Sequence, residues 1–507
     1  MEMKRKLATI TSIIVVLPVV LTACSNSVGS PSTSEAAIDK TPYDITMLLP
    51  LSGDLPPDNN PIEAKIEEYT NTKLNIQWSP TTSYDDKVNV TIASGELPKV
   101  IASPSHLTSS IQSAMKNGVF WEIGPLLTAK DFPKLAAINP LVFQNEAVNG
   151  KVYGLPMLRP LSRNSILFRK DWLDKLGLKP PETLDDLYKV IAAFTNNDPD
   201  GNGKKDTNGA ADNKDMPFFD RIAEAAGSPN QWQVADGKVT PDFMTPQYLE
   251  AMKFYKKLYD EKLINTDFAA TQKAQAQNAF YNGKSGMLAA VAGAASGAQI
   301  QFDKNKSGGV ASIIPRLKGP DGKTIKFADP GYDRLLLLPK ASVKTESEVK
   351  KILALFEHLG DDSMMMLLRY GIEGVHYKMQ DGKPVYTDEA EYKRLVNEIQ
   401  SNLKVLDFTD EVNKYLSPLD LQAQQIFKEN EKFAIPNPAI NLNSKTYTDQ
   451  GTELETIIKD ARTKFIMGQI DENGWKQQVN TWLTRGGQKM IDEYSASNGQ
   501  SAGAAKK

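Results

Sequence analysis

The sequence predicts an α/β fold, and three observations carry that expectation. Strand and helix signals alternate through the first half of the chain, which implies a parallel sheet wrapped by helices. A second series of such signals begins after residue 150. Between two polar ends lie roughly 450 residues, and with 40 % hydrophobic content over the chain that is enough for two or three cores.

The first residues read as an export signal. Lys4, Arg5 and Lys6 precede an apolar stretch over 7–21, interrupted by Thr9, Thr11, Ser12 and Pro18. A membrane span needs about 20 apolar residues, so residues 1–23 have the layout of a signal peptide. Cys24, the single cysteine, follows Leu21-Thr22-Ala23. It has no partner for an internal disulfide, and its setting resembles the lipobox of bacterial lipoproteins, which implies an acylated first residue and a membrane anchor. Residues 24–42 carry little to bury and read as a flexible tether. Residues 495–507 have the same character and are expected to be a disordered tail.

In order along the fold, Tyr43 to Pro50 is a short apolar strand ended by proline. A helix follows from Asn60, with Ile62, Ile66 and Tyr69 among charges. Leu74-Asn75-Ile76-Gln77-Trp78 alternates as a second strand, residues 85–93 are helical, and Val100-Ile101-Ala102 is a third strand. Ligands on such sheets sit beyond the carboxyl ends of the strands, which points to residues 50–54 and 103–106, His106 included. Ser165 to Phe168 is a strand, and residues 170–176 form a helix closed by Gly177, with Pro180 and Pro181 beyond. Thr183 caps the helix over 184–194, with Asp185 and Asp186 in its first turn. Further helices are expected over 246–261, 346–359, 389–403, 417–429, 453–467 and 472–493. Trp172, beside Leu173 and Leu176, reads as core, and Trp475 and Trp482, seven apart, as a packing stripe. Trp78 fits either setting.

Charge gives little direction. There are 59 basic and 62 acidic residues, and loss of residues 1–23 leaves a balance of −5, which argues against a nucleic-acid surface. His106, His358 and His376 have no metal-ligand spacing. No phosphate loop, dinucleotide fingerprint or nucleophile elbow accompanies them.

Five stretches, in order, resemble family 1 extracellular solute-binding proteins. They are Gly150-Lys151-Val152-Tyr153-Gly154-Leu155-Pro156, Ile166-Leu167-Phe168-Arg169-Lys170-Asp171-Trp172-Leu173, Leu178-Lys179-Pro180-Pro181-Glu182-Thr183, Phe280-Tyr281-Asn282-Gly283-Lys284-Ser285-Gly286-Met287 and Tyr370-Gly371-Ile372-Glu373-Gly374-Val375-His376-Tyr377. The long form with a calcium loop is similar to alginate-oligosaccharide-binding lipoproteins. The resemblance implies a two-lobed, type II periplasmic-binding-protein-like fold that closes on a ligand. Lobe 1 would hold 43–158 plus 333–388, and lobe 2 160–330 plus 391–494. The crossings would fall near 157–163, 329–334 and 385–393.

Asp198-Pro199-Asp200-Gly201-Asn202-Gly203-Lys204-Lys205-Asp206 matches the first nine positions of an EF-hand loop. Side-chain oxygens stand at positions 1, 3, 5 and 9, Gly203 permits the turn, and Lys204 would offer its carbonyl. Gly209 stands where the bidentate Glu belongs. In the resembled family the residue after the ninth supplies an oxygen, here Thr207, with Asp212 or Asp215 as substitutes. A structural Ca2+ is expected; an ion-free Asp/Asn/Gly surface loop is the alternative.

Sugar sites combine flat aromatics with planar polar groups and arginine forks. The resemblance places an aromatic ligand contact near Phe219 and Trp232. The aromatic that a maltose-type pattern puts soon after residue 287 is missing, since 288–297 is small and apolar. Arg159 and Arg163 at the first crossing, and Tyr332 and Arg334 at the second, are expected on the cleft floor. Arginines there would favour an acidic sugar through bidentate pairing; an inter-lobe salt bridge is their plainer role.

The expected function is capture of an oligosaccharide, acidic on the arginine evidence, for the permease subunits of an ABC importer. The expected protein is a lipid-anchored monomer on the outer face of the bacterial cell membrane. A binder of a non-sugar solute such as a peptide stays open. So does a surface polysaccharide-degrading enzyme, if carboxylates such as Asp54, Glu122 and Asp333 faced one another at about 5–9 Å.

Overall fold

Besides two hairpins at Trp232–Pro241 and Tyr377–Tyr386, the strands among the described residues are β1 (Tyr43–Leu51), β2 (Thr72–Pro80), β3 (Val100–Ala102), β4 (Gly154–Leu158), β5 (Asn164–Arg169), β6 (Met287–Val291), β7 (Ala311–Ile314), β8 (Lys326–Phe327), β9 (Tyr332–Leu337) and β10 (Ala434–Ile435). The computed structural model describes residues 41–105 and 107–504. The expected signal peptide, Cys24, almost all of the tether and His106 lie outside the described residues, as do 505–507.

The first sheet has the order β2-β1-β3-β9-β4. β1 runs parallel to β2 and β3, as the strand–helix alternation requires, while β9 is antiparallel to both β3 and β4. The helix Pro61–Thr70 connects β1 to β2. Pro61 opens it, Asn60 caps the Ile62 amide through its side chain, and Ile62 and Ile66 point inward. The helix Tyr84–Ser94 leads to β3, and its buried Tyr84 hydroxyl lies 2.8 Å from the carbonyls of Leu48 and Ala102, tying the helix to the tips of β1 and β3. The second sheet is antiparallel, in the order β6-β5-β7.

Two main cores form around these sheets. The first gathers Leu48, Ile101 and Leu336; the second gathers Phe194, Tyr255 and Met287 with Trp172, Trp475 and Trp482, so these three tryptophans are core. Trp78 is half-buried against the first core.

Three expectations change. The helix Glu389–Leu403 packs Leu395, Val396, Ile399 and Leu403 into the first core. Residues from 391, expected in lobe 2, therefore pack with the first core through Val405, and after the short helix Asp410–Asn413 the helix Pro418–Glu431 packs elsewhere, through Ala423 and Ile426. An apolar stripe does not reveal which of two cores it will meet. The expected tail is partly helical, since Gln488–Ala504 continues past 495; the Ser495 hydroxyl accepts the Val239 amide, and the Ser497 hydroxyl accepts that of Asn443. The expected helix over 472–493 is broken at Leu483–Gly487, where Gly486 takes a φ of 136°.

Candidate functional site

The carboxyl ends of β1 and β3 define one edge of the first sheet, and the chain order brings several segments to it. After β1, the amides of Ser52 and Gly53 donate to the buried Glu398 carboxylate at 3.1 and 2.8 Å. After β3, Ser103 accepts the Leu335 amide on its hydroxyl, and its carbonyl receives Arg334 Nη1 at 2.9 Å. The Arg334 guanidinium also lies over the Tyr84 ring, 5.2 Å from its centre. β4 ends here at Leu158, whose amide donates to Val405, and β9 starts here at Tyr332, opposite Leu158.

Two chain crossings leave this edge together. Arg159 donates its amide to Gly331, and Asp329 donates its amide to Leu161. Arg159 and Asp333 pair at 3.4 Å, as do Arg163 and Asp329. Asn164 Nδ2 lies 3.4 Å from Asp329 as well, and burial raises the Asp329 carboxyl against the pull of Arg163 and Arg221. The expected residues Arg159, Arg163, Tyr332 and Arg334 are thus assembled at one place. Their partners Asp329 and Asp333 stand on the expected second crossing, but nothing in the sequence pairs them with these arginines. Near Tyr332 lies Glu146, 1 % exposed, and burial pushes its carboxyl well above the usual range, against a backbone hydrogen bond from Gly154.

On the second-lobe side the crossings are held firmly. The Lys326 ammonium is buried, donates to Asn164 O at 2.9 Å and pairs with Glu224 at 2.5 Å, while Glu224 accepts the Phe327 amide. Burial pulls this lysine down to about 8. Asn230 donates to the carbonyls of Ala328 and Ile435, Asn430 donates to that of Ser162, and β8 pairs with β10.

Two aromatic candidates are placed differently from expectation. Phe219 is buried in the second core, edge-on to Tyr248 and Tyr255 with Arg462 over its ring. Two adjacent phenylalanines on a helix cannot both be told inward from sequence; here Phe218 and Phe219 both are. Trp232 is half-buried and packs edge-on against Tyr494 at 5.0 Å. Of the carboxylates weighed as a glycosidase pair, Glu122 binds Lys151 at 2.7 Å and Asp333 binds Arg159.

The 198–206 loop folds as an oxygen nest. Asp198 accepts the amides of Gly201, Asn202 and Gly203 at 3.0–3.1 Å, and both glycines take φ near 76°. Asn202 Nδ2 donates to Asp200 at 2.8 Å and to Asp206 at 3.0 Å, and Lys284 pairs with Asp206 at 2.7 Å. Among the described residues no group of three or more carboxylate, imidazole or thiol side chains is arranged to hold a metal ion. Thr207 and Asp212 depart from expectation: the Thr207 hydroxyl donates inward to Phe194 O at 2.8 Å, and Asp212 is buried under the amides of Asn213 and Phe218 and the Tyr255 hydroxyl.

With this geometry the sequence comparisons become readable. The profile of the bacterial extracellular solute-binding proteins matches residues 53–357. The chain belongs to that family. It is 38 % identical over 481 residues to the polygalacturonan/rhamnogalacturonan-binding protein YtcQ of Bacillus subtilis (strain 168), covering 94 % of this chain and 95 % of that one. Lipoprotein LipO of the same organism is 36 % identical over 490 residues, again covering 94 % and 95 %. Among solved structures, alginate-binding protein AlgQ2 without calcium ion superposes with a TM-score of 0.63 at 17 % identity, over 90 % of this chain and 98 % of that one. FusA of Streptococcus pneumoniae in complex with kestose gives 0.60 at 18 %, over 92 % and 100 %. This solute-binding protein accordingly has the two-lobed α/β fold of its structural neighbours. Among the described residues no helix is long and apolar enough to cross a membrane.

Proposed function

We propose that the protein captures an acidic oligosaccharide, of the galacturonan type, outside the cell and delivers it to the permease subunits of an ABC importer. The observation that carries this reading is the row of Arg159, Arg163 and Arg334 at the lobe crossings, two of them held by long 3.4 Å pairs to aspartate. A guanidinium held this loosely can exchange its partner for a sugar carboxylate, which it grips in bidentate fashion. The likeness to a polygalacturonan/rhamnogalacturonan-binding relative supports the same ligand class. Residues 1–23 act as the signal peptide, and Cys24 carries the lipid that anchors the monomer to the membrane. A non-sugar acidic solute such as a peptide is the second reading, favoured by the burial of Phe219 and the packing of Trp232 on Tyr494.

We further propose that the 198–206 loop holds a structural calcium ion. Its donor set is all hard oxygen: three carboxylates, the Asn202 amide and the Lys204 carbonyl, as calcium prefers. Asn202 Nδ2 sits between Asp200 and Asp206 where positive charge is wanted, and a flip of that amide would turn its oxygen to the ion. Thr207, whose hydroxyl turns inward to Phe194 O, is left out of this donor set.

The test is a thermal-shift screen of the form lacking residues 1–24, with oligogalacturonides, neutral oligosaccharides and acidic peptides, in calcium and in chelator. A saturable rise in Tm with oligogalacturonides alone, with the glycan intact afterwards, supports the reading. A rise with peptides only replaces the ligand class, and breakdown of the glycan replaces binding with catalysis.

A further inference from the structure

The same edge of the first sheet carries a second group of cations that the lobe crossings do not use. Lys404 closes the helix Glu389–Leu403, and its side chain is 14 % exposed. Its ammonium has three donors, of which one goes to Leu406 O at 3.0 Å. Arg369, near the end of the helix Asp362–Tyr370, lies 5.1 Å from the centre of the Phe408 ring, and Lys404 lies 5.2 Å from it. Val405 receives the Leu158 amide, which sets this group next to Arg159.

Two features distinguish these cations from the structural ones. Their pairs are long: Arg159 to Asp333 is 3.4 Å and Lys404 to Asp407 is 3.8 Å, and among the described residues Arg369 has no carboxylate within ion-pair distance. Charge-assisted hydrogen bonds fall at about 2.7–2.9 Å, and the buried pairs that hold the fold, Lys326–Glu224 and Arg169–Asp171, are tight at 2.5 Å. The second feature is space. A cavity of about 450 Å3 opens beside this group, with Leu158, Arg159, Leu406, Asp407, Thr409 and Glu431 on its wall; Arg159 faces it, and Lys404 and Arg369 stand behind the wall, against Leu406 O and the Phe408 ring. Lys134, also on its wall, is neutralised by Asp361 at 2.9 Å and Glu357 at 3.5 Å. Burial, then Asp407, raises the Glu431 carboxyl, which suits it to hydrogen-bond a sugar hydroxyl. Burial pulls Lys404 down, and Arg159 and Arg369 add to the pull against Asp407. An under-neutralised cation group beside a cavity is stabilised by an anion entering it.

We propose that Arg159, with the charges of Lys404 and Arg369 behind it, forms a carboxylate-binding subsite at this cavity, which reads one uronate residue of the captured chain. Asp333 and Asp407 are its exchangeable counter-ions, and Glu431 and Thr409 face the sugar hydroxyls. The subsite rests on the oligosaccharide reading above and adds to it the residues that tell a uronate from its neutral ester.

The test compares trigalacturonate with its fully methyl-esterified form by calorimetry on the full chain, wild type and the Lys404→Met and Arg369→Gln variants. The expected result is a wild-type preference for the acid that falls tenfold or more in each variant. A preference unchanged in both variants overturns the subsite, and so does an equal loss for acid and ester. A second arm titrates wild type with monomeric galacturonate while the arginine side-chain Nε–H signals are followed by NMR. Saturable shifts at Arg159 and Arg369 support the subsite even if a variant fails to fold or neither trisaccharide binds. In the latter case it is the oligosaccharide reading that has failed. Absence of those shifts overturns the subsite itself.

Discussion

Asp212 and Asp198 illustrate how differently two aspartates from one acidic stretch can be used. Asp212 is fully enclosed, and burial raises its carboxyl to about 7 in spite of three donors. Its folded value lies above the unfolded one, so its protonation stabilises the fold fully below about pH 4, and that contribution is lost as pH rises through about 7. Thermal unfolding should show stability falling by about 1.4 kcal/mol per pH unit across that window from this group, and Asp212→Asn should flatten the slope. Asp198, by contrast, is half-buried in a surface loop and accepts three amides. Asp198→Ala should lower Tm even in chelator, because three loop amides lose their acceptor, and remove any calcium-dependent rise in Tm. Asp200→Asn should remove that rise with little effect in chelator; a rise retained in both variants, read by the same melts, would sink the calcium proposal. The EF-hand-like spacing was legible because loop geometry is local. The role of Asp212 was not, because its three donors come from residues 1 to 43 positions away.

Elements were predicted well where one apolar face decides them. β1, β2, β3 and the two helices between them stand where alternation and capping residues put them. Their neighbours were not legible, as the helix Glu389–Leu403 shows. Its Glu398 reaches back about 350 residues to fix the β1 turn, and Asn402 Nδ2 donates to Pro50 O. Glu398→Ala should leave the amides of Ser52 and Gly53 without acceptor and cost about 1–3 kcal/mol, measured by urea unfolding. At the second crossing, Gly331 has a φ of 88°, and an added Cβ would stand 2.6 Å from Val142 and 2.9 Å from Leu161. Gly331→Ala should cost about 1–3 kcal/mol through overpacking, and since it sits between Asp329 and Asp333, ligand affinity should fall with it. An unchanged affinity would place the bend elsewhere.

At the scale of the molecule, closure of two lobes about paired crossings should lower the radius of gyration when an oligogalacturonide saturates the protein, which small-angle scattering can read. Affinity for such a ligand should weaken between about 0.01 M and 1 M salt, as the screening length falls from about 30 to 3 Å; a salt-independent affinity would count against an arginine-read carboxylate. The sequence by itself determined what depends on neighbours along the chain: the alternating strands and helices, the oxygen spacing of the 198–206 loop and the arginines on the segments after β4 and before β9. Tertiary structure decided what depends on partners far away. It took Phe219 into the core, kept the helix Glu389–Leu403 with the first lobe, and brought Lys404 and Arg369 beside Arg159. The reason is physical: an apolar stripe or a lone cation specifies that it needs a partner, and only packing specifies which one.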